Sequence, residues 1–121
     1  MMVERLAWNE EDLMTHAARS GNLELVRWLY GEGGCEMGEM VMEEAAGSGN
    51  LELTRWLRTE GCPWNWWTCF EAVDNGHVEV LRWARENGCP WDAGTRYRAA
   101  AELEYTDDFG NLVEGLGGNL E

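Results

Sequence analysis

Lysine is absent from the 121-residue chain, whose nine basic residues are all arginine and face 23 acidic residues. Without lysine there is no Schiff-base nucleophile and no P-loop, since both chemistries need that side chain. The formal net charge of -14 argues against nucleic acid as a partner, because binding to phosphate requires a basic surface. The composition favours a protein partner with basic or apolar side chains, or acidity that serves only solubility.

Long apolar runs are also missing. No stretch approaches the roughly 18 residues that a membrane span needs, and the N-terminus lacks the basic-then-apolar pattern of a signal peptide. We therefore expect no membrane contact and a cytoplasmic or nuclear protein. A hydrophobic content of 45% in a chain of this length predicts one folded domain, and we expect a monomer.

Cysteine and histidine are scarce, with four and two residues respectively. Cys35, Cys62 and Cys89 recur every 27 residues, so their spacing indicates a repeat and not a disulfide framework. A metal site would need Cys62, Cys69, His77 and Cys89 to converge, but helices of successive units pack about 8–10 Å apart, too far for equivalent cysteines to share an ion. We expect no metal and no cofactor.

Catalysis finds no support in the remaining polar residues. His16 and His77 stand alone, and no serine or cysteine has a matched base. Neighbouring acids such as Glu43 and Glu44 would point in different directions on a helix. We therefore expect a protein that is not an enzyme.

The chain contains one sequence motif three times, and we call each copy a word: GNLELVRWL from Gly21, GNLELTRWL from Gly49 and GHVEVLRWA from Gly76. The glycines are 28 and 27 residues apart, and self-similarity at such a period is typical of a stacked solenoid. Each word opens a second helix, with Asn22 or Asn50 as its N-cap. A first helix precedes each word and ends at its glycine.

Several expectations follow from this repeat. Glu24–Arg27, Glu52–Arg55 and Glu79–Arg82 should pair on the solvent side at i, i+3. Trp28, Trp56 and Trp83 should stack as a core seam. The predicted boundaries are 12–34 for unit 1, 35–61 for unit 2, 62–88 for unit 3 and 89–103 for a partial unit 4, whose helix should contain Tyr97, Ala99 and Ala100. Residues 1–11 should form an N-terminal cap in which Leu6 and Trp8 cover the first unit. Residues 104–121 should form either a frayed tail or a C-terminal cap built on Phe109, Leu112, Val113 and Leu116.

The units resemble ankyrin repeats. The matching words are AARSGNLE, AAGSGNLE and AVDNGHVE at 17–24, 45–52 and 72–79, and the GCPW words at 61–64 and 88–91 are similar to a short variant in arrays from large DNA viruses and protists. A typical unit has about 33 residues, so these units lack about six, and the Thr-Pro-Leu-His signature is absent. The resemblance implies an all-α, ankyrin-like solenoid of stacked antiparallel helix pairs, with short loops in place of β-hairpin fingers.

The resemblance also implies a binding surface, because ankyrin arrays bind through their loops and the exposed side of their first helices. The positions in this chain are Met37, Glu39, Glu43, Glu44, Trp64, Trp66, Phe70, Glu71, Trp91 and Asp92. Together they would form an acidic, tryptophan-containing surface for a partner segment with basic and apolar residues. Two alternatives stay open: the loop tryptophans Trp64, Trp66 and Trp91 could serve packing instead, and the chain could be a structural fragment of a longer array without a binding role of its own.

Overall fold

The computed structural model describes residues 10–106, and this part of the chain contains only helices and no strand. The all-α prediction is therefore confirmed. The helices are α1 (Glu10–Arg19), α2 (Leu23–Gly31), α3 (Glu39–Ser48), α4 (Leu51–Thr59), α5 (Trp66–Asp74), α6 (Val78–Glu86) and α7 (Ala93–Leu103). None of these helices is long and apolar enough to cross a membrane.

Helices α2 and α4 begin at asparagine side chains, as the repeated words predict, whereas α3 follows Gly38 and α6 follows His77 without a side-chain cap. The Asn22 side chain accepts a hydrogen bond from Leu25 N at 3.1 Å, and Asn50 does the same for Leu53 N at 3.0 Å. Each cap satisfies one of the amide groups that a helix N-terminus leaves without a partner. The first helix of unit 2 ends at Gly49, whose φ of +82° is a conformation that glycine adopts without strain.

The helices pack in chain order. The first helix of each pair contacts the first helix of the next pair, so α1 packs on α3, α3 on α5, and α5 on α7. Within the pairs, α1 contacts α2, α3 contacts α4, and α5 contacts α6. The first helices therefore form one continuous row, and the second helices lie along one side of it.

The core lies between the helix pairs. Val41, Met42, Ala45 and Ala46 are all buried, as predicted for the first helix of unit 2. Neighbouring pairs are also joined by a polar contact, since Asn50 Nδ2 donates to the carbonyl of Gly21 at 2.8 Å. Apolar packing and the Asn50 contact together link units 1 and 2.

The predicted stack of Trp28, Trp56 and Trp83 is wrong, because no ring contact within residues 10–106 joins these three side chains. Trp28 is 57% exposed, whereas Trp56 and Trp83 are half-buried. The cause is that Trp56 meets the ring of Tyr30 at 6.0 Å and Trp83 meets the ring of Trp64 at 5.5 Å. No aromatic ring of the described residues takes this place beside Trp28.

Other expectations also need correction. None of the three predicted Glu–Arg pairs at i, i+3 is an ion pair within residues 10–106. In α7, Tyr97 is 74% exposed and Ala100 is exposed, and Thr95 and Ala99 are the buried residues. The predicted covers Leu6, Trp8, Phe109, Leu112, Val113 and Leu116 lie outside the described residues.

Candidate functional site

Three aromatic side chains of α5, Trp66, Trp67 and Phe70, form a cluster on the surface. The rings of Trp66 and Trp67 are stacked, with centroids 4.6 Å apart and an angle of 23° between their planes. Phe70 places its ring edge-on to Trp67 at 4.9 Å. The two indoles stay 38% and 40% exposed, so the cluster packs against itself and keeps a face open to solvent.

The cluster sits at the start of α5 because Asn65 caps that helix. The Asn65 side chain accepts a hydrogen bond from Trp67 N at 2.9 Å, and its Nδ2 donates to Glu39 Oε1 at 2.9 Å. Glu39 is the first residue of α3. A single side chain thus fixes the aromatic cluster of one unit beside a carboxylate of the preceding unit.

Four acidic side chains, Glu39, Glu43, Glu44 and Glu71, lie near one another on α3 and α5. Partial burial raises the pKa of Glu43, and the nearby carboxylates Glu71, Glu39 and Glu44 raise it further, against a hydrogen bond from Asn65 that lowers it. Within the described chain, Glu44 has a cationic partner, Arg19, at 2.9 Å. Glu39, Glu43 and Glu71 form no ion pair with any described arginine.

Glu71 is the member of this acidic group that lies on α5, in the third unit. Burial raises its pKa first, and the charges of Glu44 and Asp74 add to the effect. For both Glu43 and Glu71, burial is the main cause of the raised pKa, and the neighbouring carboxylates at the junction of α3 and α5 raise it further. A cation brought to this junction would relieve that repulsion.

The loop tryptophans Trp64 and Trp91 have a different environment. The guanidinium of Arg58 lies 4.2 Å from the centroid of the Trp64 ring, and its Nη1 donates to the carbonyl of Cys62 at 2.8 Å. The next unit repeats this arrangement, because Arg85 lies 4.6 Å above the Trp91 ring and donates to the carbonyl of Cys89. Both rings are half-buried and pack against the core clusters.

Two of the repeated cysteines, Cys62 and Cys89, are buried and contact the start of a first helix. The Cys62 thiol contacts the carbonyl of Gly38 at 3.4 Å, and the Cys89 thiol contacts the carbonyl of Asn65 at 3.5 Å. Those carbonyls belong to the N-cap residues of α3 and α5. Burial raises the pKa of Cys62 to about 12, so its role is packing and not nucleophilic chemistry.

The ten residues singled out from the sequence therefore fall into two groups. Six lie together on α3 and α5: Glu39, Glu43, Glu44, Trp66, Phe70 and Glu71. The other four lie at loops and caps: Met37 and the two loop tryptophans pack against the core, and Asp92 caps α7 by accepting from Thr95 N at 2.9 Å. The hydrogen bonds with Thr95 lower the pKa of Asp92.

Sequence reasoning missed two exposed apolar residues beside this group, Trp67 and Met40. Met40 is 49% exposed on α3, and Trp67 is the partner of the stacked indole pair. The sequence could have identified them, because both residues occupy the same position in the repeat, as the second residue of a first helix. We call the surface made by the six residues above together with Trp67 the first-helix face.

The two histidines and the cysteines show no arrangement for metal chemistry in the part of the chain that the structure describes. No group of three or more His, Cys, Asp or Glu side chains in residues 10–106 is placed to hold a metal ion. His77 stands at the N-cap of α6, and its ring lies so close to Gly49 that a Cβ there would be 2.6 Å from it. This histidine contributes to the contact between units 2 and 3.

Comparison with known proteins gives no match: no family model, no curated protein and no solved structure is similar to this chain. The functional inference therefore depends on the first-helix face itself and on the resemblance of the repeated words.

Proposed function

We propose that the helix pairs form an ankyrin-like solenoid in which short loops replace the β-hairpin fingers. The continuous row α1, α3, α5 and α7 supports this proposal, as do the Asn caps at the same place in successive units. The segment between α4 and α5, where a finger would stand, is six residues long and contains no strand. Arrays of this kind present a broad surface formed by several units.

We infer that the chain is a non-enzymatic protein–protein interaction module whose binding surface is the first-helix face. The observation that carries the inference is the stacked pair Trp66 and Trp67, exposed beside Glu39, Glu43 and Glu71, three carboxylates that form no ion pair with a described arginine. The free energy falls when a partner removes exposed indoles from water, and tryptophan is enriched among residues that dominate binding energy.

The chemistry of this face points to a partner segment with arginine or lysine next to an apolar side chain. A guanidinium could stack on the open side of an indole and at the same time meet Glu39 or Glu43. The apolar neighbour would cover the remaining ring surface and Met40, which is half exposed. Charges at the rim of this surface would mainly accelerate association and select cationic partners.

A screen of random short peptides against the full chain tests this proposal. We expect selected peptides to be enriched in arginine or lysine beside aliphatic or aromatic residues. Trp67→Ala should weaken the best peptide about 30-fold, which corresponds to the ~2 kcal/mol of a hot-spot residue. The double variant Glu43→Gln, Glu71→Gln should weaken it as well, without loss of helicity by circular dichroism.

Matched controls are available on the second helices. Trp28→Ala removes another exposed indole and Glu52→Gln another exposed acid, and neither should change the affinity. Selected peptides that are acidic, or that lose no affinity with the first-helix variants, would contradict the proposal. A screen that selects no peptide would favour the alternative, a structural segment of a longer array.

A further inference from the structure

A groove lies on the row of second helices, between α4 and α6. The groove has a volume of about 380 Å³, within the range of pockets that hold small ligands. Its lining residues are Arg55, Arg58, Thr59, Trp83 and Asn87. None of them is acidic, and two are arginines, in a chain whose net charge is -14.

The two guanidiniums differ in how they are held. Arg58 is positioned by its hydrogen bond to the Cys62 carbonyl, 2.8 Å, and by the Trp64 ring 4.2 Å away. The Arg55 guanidinium is exposed and has no hydrogen bond or ion pair to any residue that the structure describes, since the expected pair with Glu52 does not form. An arginine offers five N–H donors, so most of those at the groove remain available.

The polar neighbours add one more donor. Asn87 Nδ2 donates to the carbonyl of Trp83 at 2.8 Å, which leaves its second N–H free for a ligand. Thr59 gives its hydroxyl hydrogen to the carbonyl of Arg55 at 3.0 Å and can only accept. The half-buried Trp83 also lines the groove, whose exposed surface is mainly polar. The groove thus combines N–H donors from three residues with a small apolar patch at Trp83.

We propose that this groove binds a carboxylate side chain of an acidic peptide segment, with an apolar neighbour of that carboxylate resting on Trp83. Guanidinium groups bind carboxylates through two parallel hydrogen bonds, and one partner held in place in advance reduces the entropy that binding costs. Because the chain as a whole repels anions, binding depends on these short-range contacts and not on long-range attraction. Removal of one guanidinium should therefore have a large effect.

The test uses the full chain and the acetylated, amidated peptide Glu-Leu-Glu, followed by NMR of the arginine Nε–Hε groups and the Asn87 side-chain amide. We expect saturable shifts at Arg55, Arg58 and Asn87, and none with the matched peptide Gln-Leu-Gln. Arg55→Gln should weaken the peptide about tenfold or more, since a hydrogen bond to a charged group is lost. Arg27→Gln changes the equivalent exposed arginine of α2 and should leave the affinity unchanged.

Three results would overturn the proposal. The first is the absence of saturable binding by Glu-Leu-Glu, and the second is equal binding of the Gln-Leu-Gln peptide. The third is an equal loss of affinity in Arg27→Gln, which would mean general attraction to exposed arginines. A competition experiment with inorganic phosphate completes the test. If phosphate displaces the peptide and binds more tightly, the groove is a phosphate site and the carboxylate assignment is wrong.

Discussion

Replacement of Trp64 by alanine should destabilise the chain far more than replacement of Trp67, although the two residues are close in sequence. Trp64 lies under the Arg58 guanidinium at 4.2 Å and meets the Trp83 ring at 5.5 Å. It also packs against both core clusters. Trp67 has aromatic contacts only to its neighbours on α5 and stays 40% exposed.

The expected cost follows from these contacts. A buried tryptophan replaced by alanine costs about 3–5 kcal/mol, and the half-buried Trp64 should lose roughly half of that. Loss of the aromatic pair and the cation–π contact adds about 1 kcal/mol. We therefore expect about 3 kcal/mol for Trp64→Ala and about 1 kcal/mol for Trp67→Ala, against a total stability of about 5–15 kcal/mol.

Urea unfolding followed by far-ultraviolet circular dichroism measures this difference, with each variant compared with its own folded and unfolded baselines. With a slope of about 2 kcal/mol per molar urea, the midpoint of Trp64→Ala should fall by about 1.5 M. Trp91→Ala should behave like Trp64→Ala, because Arg85 holds that ring in the same way. If Trp64→Ala and Trp67→Ala differ by less than about 1 kcal/mol, the loop ring is not part of the core and the reasoning fails.

Three further predictions concern other contacts. Gly49→Ala should lower the urea midpoint more than Gly61→Ala, because both have positive φ but only Gly49 lies against the His77 ring; equal losses would contradict this. Glu71→Gln should raise the midpoint at pH 7 and give no gain below about pH 4, since a raised pKa means that the ionised form destabilises the fold. The Cys62 thiol, fully buried with a pKa of about 12, should react with iodoacetamide only on unfolding, and rapid native alkylation would refute its placement.

The repeated words were enough to predict the second helices and the caps Asn22 and Asn50, whereas His77 stands in the same place and makes no side-chain cap hydrogen bond. Asn22, Asn50 and Asn65 stand just before apolar helical patterns, and each does accept a backbone N–H at the start of its helix. Local hydrogen bonding decides these positions, so the sequence within a few residues contains the required information.

Exposure was harder to predict, because it depends on which neighbour covers a position. Trp28, Trp56 and Trp83 are equivalent in the sequence, yet the first is 57% exposed and the other two meet a ring from outside their own helices. Trp64 and Trp66 are two residues apart, and only the first has a guanidinium above it. Periodicity identifies equivalent residues but not the contacts between units that separate a core ring from an exposed one.

The placement of the arginines explains why the first-helix face stays acidic. Arg19 of α1 pairs with Glu44 of α3, and Arg98 of α7 pairs with Asp74 of α5, so cations are used to join successive units. Arg58 and Arg85 each hold a loop tryptophan and a carbonyl at once, a role that suits the planar guanidinium with its five N–H donors. With Arg19, Arg58, Arg85 and Arg98 used in these contacts, the chain leaves Glu39, Glu43 and Glu71 without a described ion-pair partner. These carboxylates lie beside the exposed indoles, where the proposed basic, apolar partner would bind.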